Sequence, residues 1–198
     1  ELLRPLLRGE AVTAWRLRPT STAIVWTHAS TGLPLATLPS AAARWLAPWR
    51  RRLAARSDLH GTRVWWSLFR TEGATASHPR VVWSDFGRAP RAAVIPSGDP
   101  TVPLNSCYVL ACPDVEDALA LAAVLNSRLA AAWLNAIAEP ARGGWHRYLG
   151  WTMSLLPVPT DWPRARKILA PIAERAICDS APADVELLDA VCRAFRLK

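Results

Sequence analysis

Lysine is almost missing from this chain of 198 residues: two stand against 22 arginines, and none falls within residues 1–100. Cysteine is sparse too. Cys107, Cys112, Cys178 and Cys192 have no C-x-x-C spacing and no histidine at a ligand offset, so a local metal-binding motif is excluded. Small core thiols in a reducing cytoplasm are the expectation. The sequence contains no G-x-G-x-x-G, P-loop, H-E-x-x-H or G-x-S-x-G pattern, which removes the common nucleotide-binding, metalloprotease and serine-hydrolase signatures. His28, His60, His78 and His146 stand far apart in different predicted elements, and no metal site is predicted from them. A long uninterrupted apolar run is lacking as well. The stretch 118–138 is broken by Asn126, Ser127, Arg128 and Asn135 and reads as a buried helix, not a membrane span. No signal peptide opens the sequence, which starts at Glu1; we read it as a fragment of a larger protein.

What is present is unevenly placed charge. Residues 1–100 carry 14 arginines against six acids, whereas residues 101–198 hold ten basic and ten acidic side chains. The whole net charge of +8 therefore lies in the first half, the electrostatic footprint expected of a polyanion binder. An arginine bias together with abundant alanine and proline also fits a GC-rich genome, so the choice of arginine over lysine carries no weight. The asymmetry does. A hydrophobic content of 51% with 11 tryptophans excludes a disordered chain and supplies one substantial core, or two small ones sharing an interface.

The pattern predicts an α+β fold: a twisted mixed or antiparallel sheet with packed helices and a helical C-terminal tail. Strands are expected over 22–28, 62–70, 80–86, 92–95 and 107–111, where β-branched and aromatic residues cluster between turn signals. A helix capped by Ser40 is expected to run to about Arg56, with Trp45, Leu46, Trp49 and Leu53 on its apolar face. Asp114 caps the next helix, which is apolar nearly all round and so central. Residues 164–178 and 182–196 read as amphipathic helices. Their stripes are Leu169, Ile172, Ala173 and Ala176 in the first, and Val185, Leu188, Val191 and Phe195 in the second. Residues 1–160 form the main domain and 161–198 a helical extension packed on it.

Basic and aromatic residues interleave on loops. Trp65, Trp66 and Phe69 lie in a strand whose exit carries Arg70, and the loop that follows holds His78 and Arg80, within reach of base edges in a groove. The plain alternative is a solvated hairpin loop. The segment Arg142–Gly143–Gly144–Trp145–His146–Arg147–Tyr148 is more specific: two glycines permit positive φ and close backbone approach, and cations and aromatics flank them. A turn around a core tryptophan is the alternative there. Asn126, an amide on an apolar helix, is read as bonding a neighbouring backbone. A nuclease would need Asp85 or Glu72 beside a second carboxylate. A protein-docking role would need Trp45, Trp49, Trp65, Trp66, Trp83 and Trp151 to form an exposed patch.

The order L-L-R-P-L-L-R-G-E-A-V, R-W-L, W-W-S-L-F-R, R-V-V-W-S-D-F, N-S-C-Y-V-L, L-N-S-R-L, G-G-W-H-R-Y and L-L-P-V-P resembles the TaqI-like C-terminal specificity domain of adenine-specific DNA methyltransferases. These include fused restriction–modification and phage-defence enzymes. The tail 187–197 is similar to the helix ending such proteins, with Phe195–Arg196–Leu197 where Tyr-Gly-Leu commonly stands. The resemblance implies a target-recognition domain for double-stranded DNA without catalytic residues of its own. An upstream methyltransferase domain of the same parent chain would hold S-adenosylmethionine and an N-P-P-Y-type loop. Arg50, Arg51, Arg52 and Arg56 would hold phosphates. Arg70, His78, Arg80, Arg142, His146 and Arg147 would face base edges or nearby phosphates, with Gly143, Gly144 and Trp145 shaping the contact loop.

Overall fold

A valine-rich strand paired on both sides organises the first half of the molecule. The computed structural model describes residues 2–59, 64–179 and 184–197. Its elements run β1 (Leu3–Leu7), β2 (Ala23–Val25), α1 (Ser40–Leu46), α2 (Arg50–Ala54), β3 (Arg80–Ser84), β4 (Phe86–Gly87), β5 (Ala92–Ile95), β6 (Val102–Pro103) and β7 (Cys107–Ala111). They continue with α3 (Val115–Leu125), α4 (Arg128–Ile137), β8 (Glu139–Ala141), β9 (Trp145–Arg147), α5 (Gly150–Met153), α6 (Trp162–Cys178) and α7 (Asp184–Phe195). The class is α+β, as the pattern predicts. The strands form three small sheets of three, ordered β2-β1-β6, β5-β3-β7 and β4-β9-β8.

Alternation on β3 explains its central place. Val81 and Trp83 point into a cluster with Leu125, Leu134 and Tyr148, while Val82 points the other way, against Leu7, Val12 and Ile95. Both faces are covered, so the strand reads as a nearly continuous apolar run. Helix α3 packs on this sheet, and the largest core lies on its other side. There the small side chains Ala120, Ala122 and Ala123 meet Leu169, Ile172 and Ala173 of α6 and Leu187, Ala190 and Val191 of α7. Helices α6 and α7 therefore contribute directly to this core. The buried face of α7 is Leu187–Ala190–Val191–Ala194; Val185, assigned to the apolar stripe by periodicity, is 77% exposed.

Three other expectations change. The run 118–138 is two helices, α3 and α4, bent by 68°. Ser127 makes the break, its hydroxyl capping α4 by accepting from Ala130 N at 3.1 Å. No single described helix is long and apolar enough to cross a membrane. Residues 64–70 form turns and no strand, and His60 to Arg63 lie outside the described residues. The predicted helix 40–56 is two short helices joined by a 3-10 turn at Ala47–Trp49, and only Leu46 is buried; Trp45 and Trp49 are 63% and 52% exposed. Pro48, lacking an N–H, interrupts the α-helical ladder there.

Asn126 behaves as its setting suggests. Its amide oxygen accepts from Ala92 N and its amide nitrogen donates to Ala92 O, both at 2.9 Å, fastening the end of α3 to the start of β5. The cysteines are free thiols; Cys112 is buried, but Cys178 is exposed.

Candidate nucleic-acid interface

Asp85 is where the chain changes sheets. Ser84 still pairs with Cys107 of β7, and Phe86 already pairs with Arg147 of β9. Between them, Asp85 N donates to Ser106 O at 3.1 Å and Asp85 O accepts from Tyr148 N at 2.8 Å. The Ser84 hydroxyl donates to Phe86 O at 3.0 Å, closing the bend. Gly9 presses against this hinge. Its N–H donates to the Ser106 hydroxyl at 3.0 Å, and a Cβ there would lie 2.5 Å from Ser106 O, so only glycine fits.

A cleft of about 570 Å³ opens between the segment 9–18 and the segment 84–91, with Trp145 at its edge. Arg18, Arg88 and Arg91 line it, as do the carboxylates Glu10 and Asp85. The side chains of Arg18, Arg88, Arg91 and Glu10 make no hydrogen bond or ion pair among the described residues, and the three arginines are exposed. Burial raises the Asp85 carboxyl above its ordinary value, with Arg147 pulling the other way. Phe86 stacks on Trp145 with ring centroids 4.8 Å apart and planes 19° from parallel, and the two rings stay 40% and 38% exposed.

The glycine turn earns its sequence. Ala141 pairs with Trp145 across a three-residue loop, and Gly143 and Gly144 have φ of 72° and 73°. Two successive left-handed residues suit glycine and strain any other side chain. The turn delivers Trp145 to Phe86. Arg142 is exposed on it, Arg147 lies 4.0 Å from Glu139, and the His146 ring is half-buried with Nδ1 shielded and unpartnered.

The other predicted cations disperse. Arg50, Arg51 and Arg52 are exposed on α2, with Arg50 over the Trp65 ring at 5.8 Å. Arg56 is occupied internally: it donates to Ser67 O and to Leu53 O, and lies 3.8 Å from Asp58, so it braces its own loop. Arg70 stands over Phe69, and His78 is exposed. Arg80 corrects the expectation outright. It is 1% exposed and donates to Gly73 O at 2.8 Å, Thr101 O at 3.1 Å and Asp99 O at 2.8 Å, which removes it from any contact surface. Thus only Trp145 of the predicted contact residues lines the cleft. Phe86, Arg18, Arg88 and Arg91 were not singled out by the sequence reading. The signal for three of them was D-F-G-R-A-P-R, a turn-rich linker with two arginines between strands.

Ion pairing separates the halves of the molecule. Arg128, Arg166, Arg175, Arg193 and Arg196 each meet a carboxylate in the helical half; Arg166 alone reaches Asp114, Glu116 and Asp117. Among the described residues before position 100, Arg56 is the one arginine so paired. Glu10 and Asp85 share a cleft, the arrangement a nuclease reading needs, yet no group of three metal-ligating side chains occurs among the described residues. No protein-family model matches the chain, and no curated protein matches it.

Proposed function

We propose that this chain binds duplex DNA as the target-recognition part of an adenine-specific DNA methyltransferase of restriction–modification or phage-defence type. Methyl transfer from S-adenosylmethionine would belong to a separate domain of a parent protein working in the cytoplasm. The observation that carries the DNA reading is the set of guanidinium groups without acidic partners among the described residues of the sheet half, beside a helical half in which five arginines meet carboxylates. Unpaired cations at a surface are free to replace counterions on phosphates. The methyltransferase assignment rests on the ordered sequence resemblance.

Fluorescence anisotropy with a labelled duplex tests the binding. Neutralising about six phosphates gives a slope of log K against log salt of about −5. Arg88→Ala with Arg91→Ala is expected to weaken binding, while Arg175→Ala, paired with Glu186 on the helical side, leaves it unchanged. No affinity for DNA, or affinity independent of salt, would overturn the reading. A second reading, docking of a partner protein, has support from the exposure of Trp45 and Trp49. Trp45→Ala with Trp49→Ala would then abolish partner capture and leave DNA affinity intact.

A further inference from the structure

We propose that the cleft between segments 9–18 and 84–91 is a subsite for a single unstacked guanine nucleotide, with Asp85 accepting from the base edge, the Phe86–Trp145 pair stacking the base, and Arg18, Arg88 and Arg91 holding the phosphate. This goes beyond duplex binding, since it needs no double helix.

Four observations converge. The volume, about 570 Å³, falls within the usual range of small-ligand clefts. Two stacked rings at the rim keep about two-fifths of their surface open, a platform on which any base can lie. Three exposed guanidinium groups without partners supply the phosphate contacts, and they outnumber the two carboxylates, Glu10 and Asp85. Finally, Asp85 is half-buried at a hinge held by two backbone hydrogen bonds. It cannot extend into a DNA groove, so the base must come to it.

The choice of guanine follows from hydrogen-bond chemistry. An ionised carboxylate only accepts. Guanine offers adjacent donors, N1–H and the N2 amino group, on its pairing edge, whereas adenine and cytosine put an acceptor next to their amino group. A base lifted from its stack is read on that edge between aromatic side chains. The same chemistry comes from two sources, a free guanine nucleotide or an extrahelical guanosine in nucleic acid.

Affinities of the whole chain should be measured for GMP and AMP, for hairpin DNA carrying one bulged dG or one bulged dA, and for the fully paired hairpin. The expectation is at least about tenfold preference for guanine in one arm, falling to twofold or less in Asp85→Asn. Preference confined to the bulged hairpins identifies the nucleic-acid source; preference between GMP and AMP identifies the free nucleotide. Acidification of the unaltered chain provides a check that needs no variant: protonating Asp85 should erase the preference, at a pH above the ordinary carboxylate value. Equal binding of guanine and adenine in both arms, or a guanine preference that survives both Asp85→Asn and acidification, overturns the proposal. The fully paired hairpin reports separately on duplex binding, so either idea can fail alone.

Discussion

Arg80 and Arg88 lie eight positions apart and have opposite roles. The first is sealed under three carbonyl groups; the second lines a cleft with a side chain that makes no hydrogen bond among the described residues. In sequence both are arginines at a strand boundary, and only the three-dimensional surroundings distinguish a brace from a contact. Burial disfavours the charge of Arg80 and Asp99 nearby supports it, so the guanidinium remains the one group able to satisfy those carbonyls together. Arg80→Met would leave them without donors and is expected to cost about 3 kcal/mol or more in urea unfolding, with Arg80→Lys in between. A loss below about 1 kcal/mol would show that water replaces the guanidinium easily.

At the scale of elements, the legible parts were those whose signal is local. The Asp114 cap and the apolar strands 92–95 and 107–111 come from short patterns, and each occurs within a residue of its predicted bounds. The misjudged parts depend on partners. Trp45 and Trp49 have the right spacing for an apolar face but stay exposed among the described residues. Of the predicted α7 stripe, Val191 is buried and Phe195 packs on the core while Val185 is exposed, the buried face running through Leu187, Ala190 and Ala194. The cleft was the least legible of all, because it joins residues about 75 apart in sequence through a sheet change at Asp85. Asn126 shows the reverse: one amide on an apolar helix signalled a backbone clamp, and the clamp is there. Asn126→Ala leaves the Ala92 N–H and carbonyl unpaired, for an expected loss of about 2 kcal/mol in thermal or urea unfolding. Asn126→Asp, which sets a carboxylate oxygen against the Ala92 carbonyl in place of the amide donor, should not recover it at neutral pH.

Across the whole molecule, the balance of charge differs between the two halves. Five arginines of the helical half are paired with carboxylates, and exposed pairs of this kind lose little to added salt. The sheet half holds cations with few anions, and their mutual repulsion opposes folding until it is screened. Raising NaCl from about 50 to 300 mM is therefore expected to raise the unfolding temperature, opposite in sign to its effect on DNA affinity. A melting temperature that falls with salt would mean that the helical ion pairs dominate stability. The same division makes the chain a dipole. Near a phosphate-rich surface it would be turned before it touches, sheet side leading and helices trailing, so that few encounters are wasted on the wrong face.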